Sequence, residues 1–101
     1  MCMETNNKLK NIHPGEILEE EFLKPLGITK YKIAKDINVS QTAISEITKG
    51  VRNISTEMAI RLSKYFDTSV KFWLNLQNEY NIEEFLSKNK DFGTIKKYSS
   101  I

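Results

Sequence analysis

Ser40, Gln41, Thr42 and Ser45 place four uncharged hydrogen-bonding side chains within six positions. A glutamine amide offers a donor and an acceptor side by side, the pair that matches N7 and N6 of adenine, while serine and threonine hydroxyls bond base edges or phosphates. Cationic and polar residues flank the cluster. Thr29, Lys30 and Lys32 precede it, and Lys49, Arg52 and Asn53 follow it. Such groups suit phosphate oxygens, which position a protein on a duplex without reading its sequence. Glu46 is the dissonant member, since a carboxylate repels phosphate; it must either accept from cytosine N4 or point away.

Other chemistries find no support. His13 and Glu16 stand one helical turn apart, but His13 is the only histidine and Cys2 the only cysteine. A hydrolytic zinc site takes three protein ligands, which these residues do not supply. No catalytic role, metal or cofactor is expected. His13 and Glu16 are expected to order a helix entrance, and Cys2 to be an incidental thiol near the chain end.

The elements that must carry the cluster are short helices set off by capping residues. Pro14-Gly15 opens the first, because proline lacks only an N–H that the first turn leaves orphaned. Ile17, Leu18, Phe22 and Leu26 follow at helical spacing with Glu19, Glu20 and Glu21 turned away, and Pro25 and Gly27 are expected to close it. Thr29 caps a second helix holding Ile33, Ala34 and Ile37, and Asn38 ends it through its tolerance of positive φ. Ser40 caps a third, with Ala43, Ile44 and Ile47 on one side and Gly50 at its end. Ser55 caps a fourth, with Met58, Ala59, Leu62 and Phe66 inward and Asp67 at its close. A fifth starts near Ser69, and Ile82, Phe85 and Leu86 suggest a short sixth.

Lys30 to Lys49 meets the requirements of a helix-turn-helix. Two short helices crossing steeply need a small residue at the crossing, a turn residue tolerant of positive φ, and apolar side chains filling the angle. Ala34 and Asn38 supply the first two, and Ile33, Ile37, Val39, Ile44 and Ile47 the rest. The fifth helix carries an apolar arc about 200° wide, roughly twice an ordinary surface stripe. Phe72, Trp73, Leu76 and Tyr80 on that arc are therefore candidates for a homodimer or partner interface, the alternative being deeper burial in their own domain.

The 101 residues suffice for one domain. Apolar residues make up 40% of the chain and no run is long enough to span a membrane. Residues 1–10 lack the apolar stretch of a signal peptide, so a cytoplasmic location is expected. The net charge of +2 is unevenly spread: residues 26–52, between two acidic blocks, hold five basic and two acidic side chains, and the C-terminal 88–101 hold four and one. The expected organisation is a polar arm over 1–11, a helix-turn-helix domain over 12–87 and a basic tail over 88–101, with Phe92, Ile95 and Tyr98 at three-residue spacing.

HPGEILEEEFLKPLGIT (13–29), VSQTAISEITKGVR (39–52), STEMAIRLSKYFDTS (55–69) and FWLNLQNEYNI (72–82) together resemble the HigA-type antitoxins, also called VapI or virulence-associated protein I, of the lambda-repressor-like (XRE) helix-turn-helix family. The resemblance covers roughly 12–86. It implies an all-α, lambda-repressor-like domain of five to six helices that dimerises on a palindromic operator. It also implies repression of the protein's own operon and neutralisation of a HigB/RelE-like toxin that cleaves mRNA. Gln41, Thr42 and Ser45 would then be base readers. Val51 departs from the Lys or Arg that often precedes Arg52, and Asp67 and Val70 replace a common Gly and Pro. A stand-alone, phage-like repressor without a toxin, and an interaction module that has lost DNA binding, are the competing readings.

Overall fold

The computed structural model describes residues 11–89 and 91–99, whose regular structure is helical. The elements are α1 (14–26), α2 (Lys30–Ile37), α3 (Gln41–Thr48), α4 (Thr56–Phe66) and α5 (Val70–Lys88), then a 3-10 turn over Asp91–Thr94. Most of the N-terminal arm, with Cys2, lies outside the described residues.

Hydroxyl caps open four of these helices. Oγ1 of Thr29 accepts from the Lys32 N–H at 3.0 Å, and Oγ of Ser40 from Ala43 N–H at 3.0 Å. Ser55 accepts from Met58 N–H at 3.1 Å and Ser69 from Phe72 N–H at 3.0 Å. Each bond satisfies a donor that the helix itself leaves orphaned. Asn38 (φ 61°) and Asp67 (φ 57°) end α2 and α4 in the left-handed region, and Gly50 (φ 82°) turns the chain after α3. His13 orders the start of α1: its Nδ1 accepts from Gly15 N–H at 2.8 Å.

Two expectations are corrected. Pro25 lies inside α1 rather than closing it. Ahead of it, over Leu18–Leu23, the backbone widens into a π-helix, and Lys24 N–H reaches back five residues to the Glu19 carbonyl. A proline ring clashes with the carbonyl four residues earlier, and a widened turn makes room for it. The extra residue rotates the buried face. Leu18 and Leu23, five positions apart, are enclosed, whereas Leu26, expected inward from four-residue spacing, is 60% exposed. Second, α5 runs unbroken to Lys88, so Ile82, Phe85 and Leu86 belong to it and not to a sixth helix. Asn11, the last residue of the expected arm, donates from Nδ2 to the Tyr80 carbonyl of α5 at 3.0 Å.

The core gathers Leu18, Leu23, Ile33, Ala34, Ile37, Ala43, Ile44, Ile47, Ile54, Met58, Ala59, Leu62 and Trp73 from all five helices and the loop before α4. Every apolar position proposed for the helix-turn-helix angle is buried in it except Val39, which packs against its edge half-buried.

Candidate nucleic-acid interface

Burial of Ala43, Ile44 and Ile47 turns the opposite side of α3 outward. Gln41, Thr42, Ser45, Glu46 and Lys49 line one shallow depression on that side. Gln41, Thr42 and Lys49 are exposed, and Ser45 and Glu46 half-buried. Ser40 stands at the N-terminal lip, its oxygen used as the cap while its own hydrogen remains available to donate. This face presents neutral hydrogen-bonding groups at one end and a cation at the other.

The flanking cations fall into two groups. Among the described residues no ion pair holds Lys30 or Lys49. Lys32 and Arg52 are engaged. Lys32 Nζ lies 2.9 Å from Asp36 Oδ2, to which the Tyr65 hydroxyl also donates at 2.5 Å. The Tyr65 hydroxyl first, and Lys32 with it, hold the Asp36 carboxyl below its usual range, and Asp36 raises Lys32 in turn. Arg52 donates from Nε and Nη2 to Glu46 Oε1 at 2.8 and 2.7 Å. The dissonant carboxylate therefore has a partner six residues on. Thr29 starts α2 as its cap. Asn53 is tied inward, its Oδ1 accepting from Gln77 Nε2 at 3.1 Å.

Two braces hold α3 in place. Gly15 lies against its C-terminal end so closely that a Cβ built there would sit 1.7 Å from the Ile47 carbonyl oxygen. Close approach, and not a positive φ, is what demands glycine here. Beside it the His13 ring meets Tyr80 edge-on, centroids 4.8 Å apart, and burial lowers the His13 pKa. The second brace is Gln77, which sequence reasoning missed. Its Oε1 accepts from Ile54 N–H at 2.6 Å, and its Nε2 also donates to Asn81 Oδ1 at 3.0 Å. It pins the loop after α3 to α5. The available signal was its place four residues after Trp73, which puts an amide on the buried face of an amphipathic helix.

The interface residues expected on α5 are only partly brought together. Trp73 is fully buried, and its Nε1 donates to Thr68 Oγ1 at 2.8 Å. Phe22, Phe66 and Phe72 surround it, at centroid distances of 5.1, 6.4 and 5.0 Å. Trp73 is therefore a core residue and unavailable to a partner. The wide arc is largely consumed within the chain, because α5 covers α1 and α4 at once. Leu76 packs half-buried on the same core, Tyr80 faces His13, and Phe72 keeps 37% of its surface open. The larger open apolar surface lies further along, at Ile82, Phe85 and Leu86. Phe92, from the tail, packs tilted against Phe85 with centroids 5.7 Å apart, while Ile95 and Tyr98 are exposed. Among the described residues no helix is long and apolar enough to cross a membrane.

Comparison with known proteins agrees with this geometry. The helix-turn-helix family model HTH_3 matches residues 20–73, which run from within α1 to the start of α5. Virulence-associated protein I of Dichelobacter nodosus is 43% identical over 77 residues, 76% of this chain and 71% of that protein. Antitoxin HigA-1 of Vibrio cholerae is 31% identical over 75 residues, 74% and 70% of the two chains. The solved structure of the Pseudomonas aeruginosa antitoxin HigA with the higBA promoter superposes with a TM-score of 0.84 at 40% identity, covering 89% of this chain and all of that one. With its paired helices, left-handed turn at Asn38 and outward face of α3, this chain belongs to the HTH_3 helix-turn-helix family, of the XRE type, among relatives that include virulence-associated protein I and antitoxin HigA-1.

Proposed function

We propose that this chain is the DNA-binding antitoxin of a toxin–antitoxin pair, a repressor of its own operon that also neutralises a HigB/RelE-like, mRNA-cleaving toxin. The observation that carries the reading is the likeness, over nearly nine-tenths of the chain, to an antitoxin solved on its promoter. The function is one of binding, not catalysis. Each subunit lays α3 in a major groove, with Ser40, Gln41, Thr42 and Ser45 toward base edges. Thr29, Lys30, Lys32 and Lys49 meet phosphates on either side, Lys32 at the cost of loosening its pair with Asp36, and Asn53 shapes the loop behind them. The near-balanced total charge keeps non-specific affinity low, so repression depends on a matched site and on two copies bound together.

The proposed homodimer is assigned to the open part of α5, around Ile82, Phe85 and Leu86, with Phe72, Leu76 and Tyr80 contributing only their exposed fractions. Two-fold symmetry then sets half-sites about one helical turn apart. The test is a binding titration of labelled duplex from upstream of the gene against a scrambled duplex, alongside co-purification of the product of the adjoining reading frame. Preference for the upstream duplex and capture of a toxic partner are expected. Equal binding to both duplexes refutes the repressor, and an adjoining product that neither binds nor is toxic refutes the antitoxin. Sedimentation of wild type and Phe85→Glu checks the dimer; a wild type that stays monomeric with and without DNA refutes it.

A further inference from the structure

Arg52 follows the reading helix where a phosphate contact is the simplest expectation, yet the structure holds its guanidinium beside a carboxylate. Nε and Nη2 both point to Glu46 Oε1, at 2.8 and 2.7 Å, and the two side chains are half-exposed. Glu46 stands one turn after Thr42 and lines the same depression as Gln41, Thr42, Ser45 and Lys49. The pair therefore stands at the edge of the proposed reading face.

The geometry points to Arg52 as a reader of guanine and Glu46 as the residue that positions it. Glu46 engages the Nε–Nη2 edge of the guanidinium and leaves the parallel Nη1–Nη2 edge open. Two parallel donors match the two acceptors O6 and N7 of guanine in the major groove. The same edge also fits a phosphate, but charge separates the two targets. A guanidinium already neutralised by a carboxylate gains little from a phosphate, since phosphate affinity comes from net positive charge and the counterions it releases. The neighbouring carboxylate also repels phosphate oxygens. A guanine edge is uncharged, so the neutral pair meets it without that penalty, and the carboxylate fixes the fork in one orientation in advance. This inference rests on the reading of α3 as an operator-binding helix and adds a base reader to it.

The test is selection from a randomised duplex library by wild type, Arg52→Ala, Arg52→Lys and Glu46→Gln, followed by salt titrations on the selected duplex and on one substituted at the Arg52 position. Wild type is expected to enrich one guanine per half-site that Arg52→Ala and Arg52→Lys both lose, because lysine cannot make the two-pronged contact. Discrimination at that base should fall by about 5–150-fold per half-site. Glu46→Gln should weaken the preference at the same base, strengthen binding to substituted duplexes and steepen their salt dependence by roughly one unit per subunit, because a free cation is released. Equal weakening of every duplex by Arg52→Ala, with full function in Arg52→Lys, makes Arg52 a phosphate contact and overturns the inference. Enrichment of no sequence by wild type overturns the operator reading itself, a result distinct from the loss of one guanine.

Discussion

Replacing Gln77 with methionine keeps the chain length of the side chain and removes its amide. The structure divides the cost into parts. The Ile54 N–H, with its residue only 3% exposed, loses its Oε1 acceptor in a buried setting. A buried donor left unpaired costs about 1–3 kcal/mol. The other two bonds run to Asn53 and Asn81, both exposed, whose carbonyl oxygens rehydrate at little cost. The methionine thioether returns up to about 1 kcal/mol by being apolar in a buried slot. These terms leave a net destabilisation of about 0–3 kcal/mol, centred on about 1.5 kcal/mol, which at that centre lowers Tm by about 6–12 °C for a domain of this size. Thermal denaturation followed by circular dichroism measures it, with Asn81→Ala as the control that removes one exposed bond and shifts Tm little. A Gln77→Met protein melting within about 2 °C of wild type refutes the claim that this amide is a structural brace. An Asn81→Ala protein losing as much as Gln77→Met refutes its division into buried and exposed parts.

Gly15→Ala places a methyl group against the Ile47 carbonyl, so α1 must shift away from α3. The expected loss is at least about 1–3 kcal/mol in chemical denaturation, with weaker operator binding in the fraction still folded. His13 makes stability fall with acid. Burial disfavours its charged ring, so its folded pKa lies below the unfolded one and the unfolded chain takes the proton first. Stability is full above about pH 6.5 and declines as pH drops from there toward the folded pKa. The Tm of His13→Asn, which retains a capping oxygen, should show no such slope between pH 7 and 5, and an unchanged slope would locate the titration elsewhere. Gln41→Ala should cost about 1–3 kcal/mol at one base position in a binding titration, whereas Lys49→Ala should weaken all duplexes alike and lower the salt dependence by roughly one unit per subunit. Interchanged patterns would reassign the two residues.

The sequence alone determined what depends on near neighbours. A hydroxyl at Thr29, Ser40, Ser55 or Ser69 caps the helix three residues ahead of the donor it accepts from, and Asn38, Gly50 and Asp67 turn the chain through their own backbone preferences. The aliphatic spacing from Ile33 to Ile47 was enough to orient α3 and hence to name the outward face that bears Gln41, Thr42 and Ser45. Tertiary structure decided what depends on partners distant in the chain or on helix register. Leu26, expected inward, is exposed and Leu23 is buried because Pro25 widened the turn before it, and a fixed period of 3.6 residues does not anticipate an inserted one. Trp73 moved from interface to core because Phe22 and Phe66 arrive from two other helices to enclose it, and an apolar arc on one helix does not say how many neighbours share it. The same holds for charge. Glu46 looked out of place among phosphate ligands because its meaning lies in Arg52, which reaches it only after the chain has turned at Gly50.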